Sequence, residues 1–122
     1  MADKPIFIGT PKEFPVSITN STTAADWIAP SVNYTARAEN AGIQNNHSGT
    51  VTVEVIYHDG SSGNVIKTFT MLTATYVNML EEMFGTSSDK QYLIASSGKK
   101  YQLRVTTAVA GVIAGIANGG QY

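Results

Sequence analysis

Thr50-Val51-Thr52-Val53-Glu54-Val55-Ile56-Tyr57 decides how the rest of this chain is read. Val51, Val53, Val55 and Tyr57 fall on one face of an extended strand, and Thr50, Thr52, Glu54 and Ile56 fall on the other. β-Branched and aromatic residues at a period of two mark a strand with one face on a core and one partly wet. Residues 65–72, VIKTFTML, form the returning strand. Between the two runs lies His58-Asp59-Gly60-Ser61-Ser62-Gly63-Asn64, whose glycines supply the positive φ of a hairpin connection.

Outward from this hairpin the same period recurs. Phe14, Val16 and Ile18 alternate with Pro15, Ser17 and Thr19, and Pro15 confines that strand to an edge or a strand start. Residues 32–39 place Val32, Tyr34, Ala36 and Ala38 inward, and residues 40–49, rich in Asn and Gly, read as a turn. Residues 78–84 break the pattern with good helix formers, Asn78 as a cap and Gly85 as a stop. Met79, Leu80, Met83 and Phe84 should then lid one end of the fold. Residues 91–95 form a short strand, and 101–109 alternate with Tyr101, Leu103, Val105, Thr107 and Val109 on one face. Residues 111–117 are a last strand, small and apolar on both faces. About seven or eight short strands and one short helix near 78–84 predict an all-β chain, an antiparallel β-sandwich of jelly-roll-like kind. Residues 14–122 read as one domain, and residues 1–13, with two prolines, as an extended N-terminal arm.

Composition narrows the chemistry. Charged residues make up 14% of the chain, against about 25% in an average domain. The net charge is -1, which argues against capture of nucleic acid by a basic stripe. Small, uncharged polar residues fill the space instead and suit permanent packing against a partner. There is no cysteine, so neither a disulfide framework nor a thiolate metal site is available. Residues 1–9 do not read as a signal peptide, and the apolar run at 108–117 is too short to span a bilayer. A soluble chain made in a cytoplasm is the expectation.

Sites of reaction are hard to assemble from these residues. His58 and Asp59 are neighbours, poorly placed to orient one another, and read as a solvated turn pair. His47, in an Asn-rich loop, reads the same way. Two histidines without thiols do not make a zinc site without carboxylates at a matching spacing. Glu81 and Glu82 diverge on a helix, and residues 59–64 lack the oxygen ligands of a calcium loop. No cofactor is implied. Asn20, Asn33 and Asn46 head glycosylation-type triplets that a Thr/Ser/Asn-rich chain produces by itself. Gly111 and Gly115 match GxxxG in a run too short for a membrane helix, and a glycine-bearing strand admits close approach of another backbone. Trp27, before Pro30, reads first as a core plug.

The order of elements resembles that of small virion proteins of tailed bacteriophages. The likeness lies in Val16-Ser17-Ile18-Thr19-Asn20 before a loop, the Thr/Val hairpin, and the alternating strand, small apolar strand, Gly-Gly and aromatic residue of 101–122. It implies a non-catalytic structural protein of the virion, assembled in the host cytoplasm. The role implied is capsid decoration or head association, through binding to the major capsid protein and to further copies of itself as a homo-oligomer. Two contact regions are then expected: the arm through Ile6, Phe7 and Ile8, and the C-terminal strand through Val112, Ile113, Ala114, Gly115, Ile116 and Ala117. The alternatives are a tail or neck component, or a carbohydrate- or receptor-binding sandwich that stacks its ligand on Trp27 and Tyr34.

Overall fold

A computed structural model describes residues 10–19, 23–85, 92–106 and 110–122. Among them lie β1 (Thr10–Ile18), β2 (Ala25–Ile28), β3 (Ala36–Asn45), β4 (Val51–His58), β5 (Gly63–Met71), β6 (Tyr76–Asn78), α1 (Met79–Phe84), β7 (Leu93–Ala95), β8 (Lys100–Val105) and β9 (Ile113–Gln121). The strands form two antiparallel sheets. One has the order β1-β9-β3-β6, with β7 also on β3, and the other the order β2-β8-β4-β5. The chain is an all-β sandwich.

With the short β7 set aside, four nested pairs remain: β4 with β5, β3 with β6, β2 with β8 and β1 with β9. This is one long antiparallel ribbon rolled up, the jelly-roll arrangement. Its tip is the hairpin at residues 58–63, where Asp59 Oδ1 accepts from the N–H groups of Ser61 and Ser62 at 2.9 Å each and Gly60 takes φ 99.

The rolled ribbon turns alternate side chains inward. Phe14, Val16 and Ile18 of β1, Ile43 of β3 and Ile113 of β9 meet Val51, Val53 and Val55 of β4 and Leu103 and Val105 of β8. Truncating a fully buried member such as Leu103 to alanine costs about 2–5 kcal/mol. Asn78 caps α1 by accepting from the N–H groups of Leu80 and Glu81, and Gly85 ends it at φ 82. Met79 is buried and Leu80 and Met83 pack on the core, whereas Phe84, expected in the lid, is exposed.

Several expectations need correction. Residues 40–45 are not a turn: β3 runs to Asn45, and a bulge between Ala38 and Asn40 inverts the parity of inward side chains from Ala36 and Ala38 to Ala41 and Ile43. Val32 and Tyr34 do not point inward but lie exposed before β3. Ile56, expected at the wet face, is buried, because the ladder shifts between Val55 and Ile56 and a Cβ at Gly63 would touch the Ile56 side chain. The last strand extends to Gln121, and β1 begins at Thr10, so residues 10–13 pair with 118–121. Thr107, Val109 and the arm residues 1–9 lie outside the described residues.

Candidate functional site

The outer face of the five-stranded sheet carries an uncharged patch. Two cross-strand rows compose it: Pro15, Ile116, Gly42 and Asn78, and beside them Ser17, Ala114, Gln44 and Tyr76. Ile116 is 45% exposed and Tyr76 64%. The Tyr76 ring lies where a Cβ at Gly42 would stand, so glycine there is what lets the ring lie flat on the sheet. A shallow depression of about 370 Å³ runs between Tyr76, Gln44, Ala114 and Ile116. Charge returns in the next row with Glu13, exposed on β1, and toward the β7 end, where Arg37 pairs with Glu39 at 2.7 Å and stacks on Tyr92.

The C-terminal contact region is therefore divided by the pleat. Ala114 and Ile116 face outward and are available to a neighbour. Ile113 and Ala117 are fully buried in the chain's own core. A Cβ at Gly115 would meet Val16, Ile43 and the Gly42 carbonyl, so the close approach this glycine permits is internal. Val112 is half-buried beside the strand and its carbonyl accepts from the Asn46 N–H at 2.9 Å. Ile6, Phe7 and Ile8 lie outside the described residues.

Trp27 is no stacking platform. It is 3% exposed, and its Nε1–H donates to the Phe14 carbonyl at 2.9 Å, an internal use of both its apolar body and its polar tip. Tyr34 is 42% exposed.

A second concavity lies at one end of the sandwich, about 350 Å³, lined by Asp26, Pro30, Val32, His58, Lys99 and Lys100 among others. Three loops far apart in sequence build it, which is why no motif signalled it. Burial pushes the Asp26 carboxyl up, but hydrogen bonds from Gln102 and Lys100, and the charges of Lys100 and His58, outweigh this and hold it below its usual range. The histidine thus acts on two carboxylates, its sequence neighbour Asp59 and Asp26 from another strand.

His47, at the opposite end, is buried and not solvated. Its N–H and Nδ1 both meet Asn45 Oδ1, at 2.8 and 3.2 Å, and Nε2 has no partner among the described residues. Burial pushes its pKa below the ordinary 6.5. No group of three His, Cys, Asp or Glu side chains among the described residues is placed to hold a metal ion. No helix among them is long and apolar enough to cross a membrane.

Comparison with family models, with curated proteins and with solved structures returned no match.

Proposed function

We propose that this chain is a non-catalytic structural protein of a tailed-phage virion, a capsid decoration or head-associated protein that docks through the outer face of its five-stranded sheet. The observation that carries the reading is the uncharged patch of Pro15, Ile116, Ala114 and Tyr76. Exposed apolar side chains in a contiguous, uncharged setting mark contact with another protein. A pleated surface with small residues at its centre, Gly42 and Ala114, admits a flat partner such as a capsid protein or another copy of this chain. A low overall charge leaves little repulsion between copies held side by side. Weak contacts of this kind multiply on a symmetric lattice. Jelly rolls also recur in viral capsid domains, an analogy of fold alone.

The test is retention on particles. The chain is mixed with purified capsids of the phage whose genome encodes it, and sedimented. Ile116→Asp, which places a charge in the middle of the patch without touching the core, is expected to abolish co-sedimentation, while Thr70→Asp on the other sheet leaves it intact. Equal retention of both variants would remove the sheet face from the reading. A gene lying outside any phage genome would remove the virion itself.

A further inference from the structure

The concavity at the end of the sandwich is explained neither by the packing of the core nor by docking through the sheet face. Val32, which helps line it, is 81% exposed. The turn that presents it carries Asn33 at φ 69, a left-handed conformation that asparagine adopts more readily than other residues bearing a Cβ. The turn is nonetheless fixed: Tyr34 N–H donates to the Ser31 carbonyl at 3.0 Å, Asn33 N–H to Ser97 Oγ at 2.9 Å, and Ser31 N–H to Gln121 Oε1 at 3.0 Å. Val32 is thus held out in water on an anchored turn beside the cleft.

The polar groups around the concavity are held in place. Asp26 Oδ1 accepts from Gln102 Nε2 at 2.8 Å, and its Oδ2 accepts from Lys100 Nζ at 3.2 Å. His58 Nδ1 accepts from the Gly60 N–H at 3.1 Å, which assigns the ring proton of the neutral imidazole to Nε2, a donor. A fixed carboxylate acceptor, an ammonium donor and an imidazole donor thus converge beside the apolar surface of Pro30 and Val32. Charge chooses among ligands. Asp26 opposes an anion and Lys100, paired to it at 3.1 Å, opposes a cation. A neutral ring bearing hydroxyls satisfies both: it donates to the carboxylate, accepts from imidazole and ammonium, and lays its C–H face on Val32. The volume, about 350 Å³, lies at the low end of small-molecule sites, which run from about 300 to 1,000 Å³.

We propose that this cleft is a saccharide-binding site, recognising a neutral mono- or disaccharide unit through Asp26, His58 and Lys100 with Val32 as its apolar floor. It is independent of docking through the sheet face, and a chain could have either without the other.

Titration of the isotope-labelled full chain with glucose, galactose, mannose and N-acetylglucosamine, followed by amide NMR, tests the proposal, with inorganic phosphate as the anionic probe. At least one sugar is expected to shift the amides of Val32, Gly60 and Lys100 saturably, and Val32→Ser and His58→Ala each to weaken that binding about tenfold while leaving the remaining amide spectrum in place. Absence of saturable shifts at these amides with all four sugars overturns the proposal. So does binding that both variants leave unchanged, and so does saturation of the cleft by phosphate alone.

Discussion

At one end of the sandwich, Asn46-His47-Ser48-Gly49 is clasped by its neighbours; at the other, Ser31-Val32-Asn33-Tyr34 stands out in water. Both are short connections to an end of β3, and both carry Asn and Ser. What separates them is where their hydrogen bonds go. The Asn46 and Ser48 N–H groups donate to the carbonyls of Val112 and Ala110, at 2.9 and 2.7 Å, and Thr73 Oγ1 donates to the His47 carbonyl at 2.6 Å. Asn45, fully buried, shares its Nδ2 among the carbonyls of Gly49, Met71 and Leu72. One side chain thus ties the loop at 46–50 to the chain at 71–72. The other loop is braced from below through Ser97 and Gln121 and leaves its apolar tip free. One end closes the fold, and the other leaves its loop exposed.

Substitutions should sort by end. The largest loss is expected for Asn45→Ala, which strands a buried N–H and several buried carbonyls. About 3 kcal/mol should disappear from the urea unfolding free energy. Gly111→Ala comes next. Its φ is 127, and an added Cβ would overlap the backbone of Asn46 and His47, so a loss of about 2–3 kcal/mol is expected in the same measurement. Acid should act on the closed end as well. Because burial lowers the His47 pKa, the folded chain favours the neutral ring, and its contribution to stability is complete above pH 6.5. That contribution shrinks as pH falls below 6.5 toward the folded-state value, since the unfolded chain takes up the proton first. The urea midpoint should therefore fall between neutral pH and mild acid, and His47→Gln should flatten the slope. A flat profile in the unmodified chain would show that His47 is not desolvated. The open end should hardly respond: Asp26→Asn removes only an exposed pair and is expected to change stability by less than about 1 kcal/mol. A loss there as large as that of Asn45→Ala would erase the contrast between the ends.

Much of the framework could be read from residue order. The hairpin of β4 and β5, the alternation in β1 and β8, the edge position imposed by Pro15, and both caps of α1 are local signals, and each is where its residues put it. The failures share one cause: they depend on chain that is distant in sequence. Residues 40–49 look like a turn because they are rich in Asn and Gly, and only the β6 and β9 neighbours reveal that residues 40–45 are strand. His47 looks solvated until residues 110–112 and Thr73 are brought over it. Ile113 and Ile116 are equivalent as apolar letters, and the register against β1 and β3 separates the core residue from the surface one. The cleft draws on residues near 26–32, 58–60 and 98–100, a set that no spacing rule connects.

The strand order has a bearing on biosynthesis. β9 lies between β1 and β3 and bonds to both, so it completes a sheet whose other members are already translated. Lys12 and Gln121, which meet across that seam, are 109 positions apart. Until β9 emerges from the ribosome, β1 has no ladder partner among the described residues. Pro11 and Pro15, which lack the N–H that a stray strand would need, keep that waiting segment from pairing with the wrong chain.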